Sequence, residues 1–246
     1  MKTTNDLLSR IQRMMPAGVQ PKFTSAEELM AWQQAEGRKR TDELEKQNQR
    51  ARSEKIFGRA GIQDLHKHCS FSNYQVNGDG QRRALSMAKS YAQNFGEGFT
   101  SFVFSGNPGT GKNHLAAAIG NFLLHKGHTV LVVTIPDLML RVRECYDSDQ
   151  SEAALLDDLC KVDLLVLDEV GIQRGTTGEK VIINQVIDRR LSSMRPVGIL
   201  TNLNYAELSS TLGERVMDRM QMDSGMWVNF DWESHRKNVR HLRVVK

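Results

Sequence analysis

The sequence predicts an α/β fold built on a five-stranded parallel sheet flanked by helices, and three observations carry the prediction. Short apolar-rich runs recur at Phe102–Phe104, Thr129–Thr134, Leu164–Leu167, Val197–Leu200 and Met226–Phe230, with helical periodicity between them. Strands that are apolar on both faces belong in a sheet covered by helices on both sides. Between the first run and an alanine-rich helix lies Gly106-Asn-Pro-Gly-Thr-Gly-Lys112, the spacing G-x-x-x-x-G-K. The third run delivers two adjacent carboxylates, Asp168 and Glu169, at its C-terminal end.

The glycine-rich loop has a specific chemistry. Its backbone N–H groups close around a phosphate chain only where no side chain blocks them. The helix that follows aims its positive end at the same anion, and Lys112 reaches the β- and γ-phosphates. The residue after Lys112 is Ser or Thr in the common pattern, because a hydroxyl there holds Mg²⁺; here it is Asn113. An amide oxygen also coordinates a hard cation, so Mg²⁺ remains an expected ligand with altered geometry. A degenerate loop kept only for structure is the alternative. Of the two acids, one is suited to hold Mg²⁺ and the other, across the pleat, to orient an attacking water. A simple pair of surface acids is the competing account.

The remaining elements follow in order. Gln81–Phe95 has apolar residues at helical spacing, leading into the loop; His114–Lys126 continues as a helix that Gly127 ends. Pro136–Glu144 and Ser151–Leu159 read as helices, as does Thr177–Leu191 with Val181, Ile182, Val186 and Ile187 inward. A last helix is expected over Leu212–Met222. Phe71 and Tyr74 either flank a base or pack under the first helix.

Upstream, Asn5–Met15 carries one apolar helix face and Pro16 ends it. Ser25-x-x-Glu28 is a capping box that opens a second helix, which Gly37 is expected to close. Thr41–Ser53 is almost wholly polar. Two or three helices make a meagre core, so Ile11, Leu29, Trp32 and Leu44 either dock on another protein or glue a helical hairpin together. The expected organisation is a helical domain over 1–52, a linker over 53–70 and a nucleotide-binding domain over 71–246.

Composition excludes several classes. The chain has 246 residues, a net charge of +4 and three scattered cysteines without a C-x-x-C pair, so neither zinc nor a disulfide framework is indicated. No apolar run suits a membrane span and the N-terminus lacks a signal-peptide core, so a cytoplasmic protein is expected. A pI near 9.0 permits nucleic-acid contact without requiring it.

The segments 106–118, 162–169, 179–185 and 213–220, with Ile11–Pro16 and Glu27–Gln33, resemble the bacterial replicative-helicase loaders of the DnaC/DnaI/IstB-like group across essentially the whole chain. Asn113 also fits the DnaC type, whereas DnaI and IstB usually show Ser or Thr there. The resemblance implies an AAA+ ATPase core fused to a helical domain that binds the hexameric helicase DnaB. It implies ATP/ADP bound by Gly106, Asn107, Pro108, Gly109, Thr110, Gly111, Lys112, Asn113 and His114. Asp168 with Asn113 would hold Mg²⁺, Glu169 would activate water and Asn202 would position it. Arg219, with Arg215 as accessory, would act on ATP in a neighbouring subunit of an ATP-dependent spiral. A charged helix face is the other account of these two arginines. Single-stranded DNA is implied near Arg141, Arg143 and Tyr146, which alternatively form a solvated helix end. Sixteen residues follow Phe230, too few for the helical lid of many AAA+ proteins, so no C-terminal lid is expected. An ATPase weak alone and stimulated by assembly follows from that. An IstB-like transposition helper and a non-catalytic adaptor are the rival readings.

Overall fold

The computed structural model of the protein describes residues 23, 25–57, 66–98, 100–146, 151–171, 177–222 and 225–235. The chain divides into two units, Met1–Asn48 and Gln49–Lys246.

Helix α1 (Ala26–Phe57) opens where Ser25 Oγ accepts the Glu28 N–H at 3.1 Å. The expected stop at Gly37 does not occur: α1 runs through it as one helix of 32 residues. A mid-helix glycine costs only about 1 kcal/mol relative to alanine. The helix formers on either side, Glu36 and Arg38 to Arg40, outweigh it, and Thr41 Oγ1 donates back to the Gly37 carbonyl at 3.0 Å. Trp32 and Leu44 are exposed on this helix, and Leu29 is half-buried. The helix expected over Asn5–Met15, including Ile11, lies outside the described residues.

The second unit holds α2 (Asp79–Gln93), β1 (Phe102–Gly106), α3 (Lys112–His125), β2 (Val130–Thr134), α4 (Ile135–Tyr146), α5 (Glu152–Lys161) and β3 (Leu164–Val170). It continues with α6 (Thr177–Ser192), β4 (Val197–Thr201), α7 (Tyr205–Leu212), α8 (Glu214–Met220) and β5 (Met226–Phe230). The five strands pair in parallel in the order β2-β3-β4-β1-β5. Alternation along each strand splits the core into two layers. Phe102, Phe104, Leu164 and Val166 face Ile119 and Ala88 of α3 and α2. Val103, Leu165 and Leu167 face the residues of α4 to α8, such as Leu138, Ile187 and Met217. Gly198 on β4 is paired with Phe102, whose ring occupies the space of a side chain there: a Cβ on Gly198 would come within 2.3 Å of it.

Two expectations need correction. Val181 is exposed, because α6 turns Ile183, Val186 and Ile187 to the core instead. The single helix expected over Leu212–Met222 is two helices meeting at Gly213, where φ of 90° and ψ of 149° break the helical path. The first of these, α7, opens on a capping box between Asn204 and Glu207. The downstream end of the expected linker is built into the second unit. Cys69 is buried, and the Asn121 amide of α3 donates to the carbonyls of His66, Lys67 and Cys69.

A buried cation ties the sheet's entry side together. The Arg190 guanidinium, fully enclosed, donates to the carbonyls of Leu159, Val162, Asp163 and Pro196 at 2.7–3.1 Å. Burial pulls its pKa down to about 9, so it still carries its charge at neutral pH. No described helix is long and apolar enough to cross a membrane.

Candidate functional site

Parallel pairing brings the C-terminal ends of β1, β4 and β3 to one edge of the sheet, where ligands of open α/β sheets bind. The loop after β1 wraps tightly. Gly106, Gly109 and Gly111 have φ of 131°, 76° and 98°, which side chains disfavour. A Cβ on Gly106 would come within 2.3 Å of the Phe230 carbonyl oxygen, so this glycine also permits the loop to pass under β5. Lys112 is buried. Its Nζ donates to the Gly106 and Asn107 carbonyls at 2.7 and 2.8 Å and to Asn202 Oδ1, at the end of β4, at 2.9 Å.

Asp168 enters from β3. Its Oδ2 accepts from Asn113 Nδ2 at 2.5 Å and its Oδ1 from the Glu169 N–H at 2.7 Å. Burial raises its pKa above the ordinary carboxylate value and the Glu169 charge adds to this; the Glu169 N–H, the Asn113 amide and Lys112 oppose it. A buried carboxylate next to an amide is an oxygen-rich pair of the kind that hard cations take. Turning the Asn113 amide over would present its Oδ1 beside the carboxylate, so these two residues fit Mg²⁺. Among the described residues no cluster of three or more His, Cys, Asp or Glu could hold a metal. Glu169 follows at a register shift between β3 and β4, with φ of 61°. Non-glycine residues held in that region cluster at functional sites. The bulge points Glu169 outward, exposed, while Asp168 stays buried.

Lys112, Asn113, Asp168 and Glu169 line one cavity of about 490 Å³ with Gly109, Thr110, Gly111 and His114. Tyr74 is another wall: its ring stands edge-on to His114 at 5.3 Å and its hydroxyl approaches the Thr110 carbonyl at 3.4 Å. Burial pushes its pKa up to about 12. Phe71 does not join it there, packing on Phe122 at 6.0 Å.

Arg215 and Arg219 are not among the residues lining this cavity. Arg219 Nη1 donates to Asp188 Oδ1 of α6 at 2.7 Å and Nη2 to Ser192 Oγ at 2.8 Å. Arg215 approaches Asp188 at 3.9 Å and is 79% exposed. Asp188 has no signal in the sequence that would single it out. On α4, Arg141 pairs with Glu144 at 2.8 Å, Arg143 with Glu179 at 3.7 Å, and the exposed Tyr146 donates to Glu152 at 2.7 Å. Sequence reasoning also missed Trp232 and His235, which reach the loop from beyond β5.

Comparison with known proteins bears on the fold and the family. The family model described as IstB-like ATP binding protein matches residues 10–241. The chain is 57% identical over 243 residues to the Escherichia coli K12 protein named "Uncharacterized protein YdaV", covering 99% of this chain and 98% of that one. It is 50% identical over 240 residues to "Replicative helicase loader DnaC" of the same strain, covering 97% and 98% of the two chains. The crystal structure of a DnaC helicase loader superposes with a TM-score of 0.61 at 25% identity, covering 68% of this chain and 99% of that one. The DnaI crystal structure shares the fold, with a TM-score of 0.60 at 23% identity over 71% and 94% of the chains. The sheet is thus the P-loop AAA+ arrangement, and the chain belongs to the IstB-like ATP-binding family that includes the DnaC helicase loaders.

Proposed function

We propose that this protein is an ATP-dependent loader that binds the hexameric replicative helicase, delivers it onto single-stranded DNA and is released on ATP hydrolysis. The observation that carries the reading is the convergence of Lys112, Asn202, Asn113, Asp168 and Glu169 on the edge of one sheet. It occurs in a chain half identical, over nearly its whole length, to proteins named for that activity.

In the reaction, the loop amides and Lys112 hold the triphosphate, with Lys112 exchanging its carbonyl contacts for phosphate oxygens. Asp168 and the Asn113 amide would hold Mg²⁺, which supplies charge neutralisation between the phosphates. Glu169 orients a water and accepts its proton as the water oxygen bonds to the γ-phosphorus; the bond to the β–γ bridging oxygen breaks and ADP leaves. Asn202 fixes Lys112 and faces the same edge, suited to position that water. Arg219, held on α8 outside its own cavity, would stabilise the γ-phosphate charge of a neighbouring subunit, so hydrolysis would wait on assembly into a spiral.

Residues 1–52 are assigned to helicase docking. At about 100° per residue, Leu29, Trp32 and Leu44 lie within one arc of roughly 120° on α1. Such a stripe, left accessible on a helix that is largely polar elsewhere, suits a partner's apolar groove. Single-stranded DNA is assigned to Arg141, Arg143 and Tyr146. The exposed Arg141–Glu144 pair contributes little, so phosphate displaces Glu144 at small cost, and Tyr146 offers a ring for stacking.

Co-elution of the purified helicase with this protein tests the docking assignment. Complex formation is expected in wild type and lost in Trp32→Ala/Leu44→Ala. Retention of the complex by a chain lacking residues 1–52 would remove the assignment.

A further inference from the structure

A loop that cradles phosphate turns successive N–H groups inward and its carbonyl oxygens outward, and each outward oxygen needs a donor. Here the donors are supplied by the protein. Lys112 serves Gly106 and Asn107, and Thr110 Oγ1 also serves Asn107 at 2.7 Å. Two others arrive from the segment after β5. The His235 N–H donates to the Gly109 carbonyl at 2.9 Å, and the Trp232 indole N–H donates to the Thr110 carbonyl at 2.9 Å. The Asn107 N–H in turn bonds the Phe230 carbonyl at 2.9 Å, so the end of β5 and the segment after it grip the loop at three points.

Trp232 is itself fixed. Its ring lies 4.8 Å from that of Phe230, and a Cβ on Gly80 at the start of α2 would come within 3.0 Å of it. The Tyr74 hydroxyl reaches the same Thr110 oxygen only at 3.4 Å, which leaves the indole as the better donor.

We infer that Trp232 is a positioning residue for nucleotide binding, acting through the peptide between Thr110 and Gly111. In a trans peptide the C=O and the following N–H point in opposite directions. Holding the Thr110 oxygen outward therefore holds the Gly111 N–H toward the phosphates. The inference rests on the reading of Gly106–Lys112 as a triphosphate loop. Because the bond is remote from the reacting atoms, it stabilises bound substrate and transition state alike and belongs to KM rather than kcat.

The test is Trp232→Phe, which keeps an aromatic ring and removes the N–H. Nucleotide affinity is measured by titration with ATP and with ADP, and kinetics with helicase and single-stranded DNA present. One neutral hydrogen bond corresponds to roughly twofold to tenfold in an equilibrium constant, so Kd and KM are expected to rise about fivefold with kcat within about twofold. A folded Trp232→Phe protein with unchanged Kd overturns the inference, as does a loss confined to kcat. A second measurement does not depend on that variant folding. In Trp32→Phe/Trp227→Phe, Trp232 is the remaining tryptophan, and its emission is expected to change with the same midpoint as ATP binding. Emission that ignores bound ATP also overturns the inference. Wild-type protein that binds no ATP would instead strike the loop assignment itself.

Discussion

The pairing of Arg219 with Asp188 separates a catalytic arginine from a merely structural one. The bond from Nη1 is 2.7 Å, with the Arg219 and Asp188 side chains 21% and 33% exposed. Arg215, at 3.9 Å and mostly in solvent, adds little. A charge-assisted bond at this exposure is worth about 1 kcal/mol after solvent screening. For a chain of this size that corresponds to a fall of about 2–4 °C in Tm for Asp188→Ala and for Arg219→Ala. The double variant is expected to fall by less than the sum, giving a coupling energy of about 1 kcal/mol. Thermal unfolding of the four proteins measures this. The ATPase rate in the presence of helicase and single-stranded DNA is the second readout. An arginine acting on a neighbour's γ-phosphate is worth about 10³–10⁵ in rate, so Arg219→Ala is expected to abolish the stimulated rate. Asp188→Ala, which leaves Arg219 intact, is expected to stay within about fivefold of wild type, the factor that the screened bond of about 1 kcal/mol corresponds to. Mixing Arg219→Ala with Lys112→Ala subunits should restore part of the rate, because some interfaces then pair an intact arginine with an intact loop. Equal loss in Asp188→Ala and Arg219→Ala, or no recovery on mixing, would refute a role in trans.

Two further perturbations address the proposed metal pair. Asn113→Thr replaces the amide beside Asp168 by the hydroxyl of the common pattern and is expected to leave ATP affinity within about threefold, a single contact's worth; titration showing abolished binding would contradict the account of Asn113. Asp168→Asn is expected to raise the Tm of protein measured without nucleotide at neutral pH while ending Mg²⁺-dependent hydrolysis. The sign follows from the raised pKa of Asp168: folding favours its neutral form, a preference fully expressed below the ordinary carboxylate value and lost as pH rises through the folded one. Neutralising the side chain removes that loss, so the gain in Tm should shrink as pH falls toward 4 (roughly the free carboxyl value). A lower Tm for Asp168→Asn at neutral pH would show that the bonds from Asn113 and the Glu169 N–H outweigh burial.

The strands were legible because each is buried on both faces and so carries its environment in its own composition, as Leu164–Leu167 does. The helix starting at Tyr205 was passed over for the opposite reason. Only Leu208 and Leu212 are buried in its eight residues, too few to set a period, although the Asn204–Glu207 capping box was available as a signal. Gly37 misled because a stop signal is read locally, while a helix ends only when continuing costs more than stopping.

The site divides along the same line. The loop, Lys112, Asp168 and Glu169 adjoin one another in short motifs whose chemistry demands those residue types at that spacing. Asn202 was reachable only through the family resemblance; it sits just past the end of β4, where parallel sheets place ligands. Trp232, Asp188 and Arg190 act across gaps that no motif spans: 122 residues separate Trp232 from Thr110, and 31 separate Asp188 from Arg219. An arginine inside a run such as Asp188-Arg189-Arg190 reads as solvated surface, yet Arg190 is enclosed and spends its donors on four carbonyls. What makes this burial tolerable is that the end of α5 and the turns leading into β3 and β4 all present carbonyl oxygens at that point, a coincidence that only the folded chain creates. Contacts of that kind are properties of topology, and they also hold the P-loop from outside: Trp232 can reach Thr110 only because β5 lies beside β1 in the sheet order.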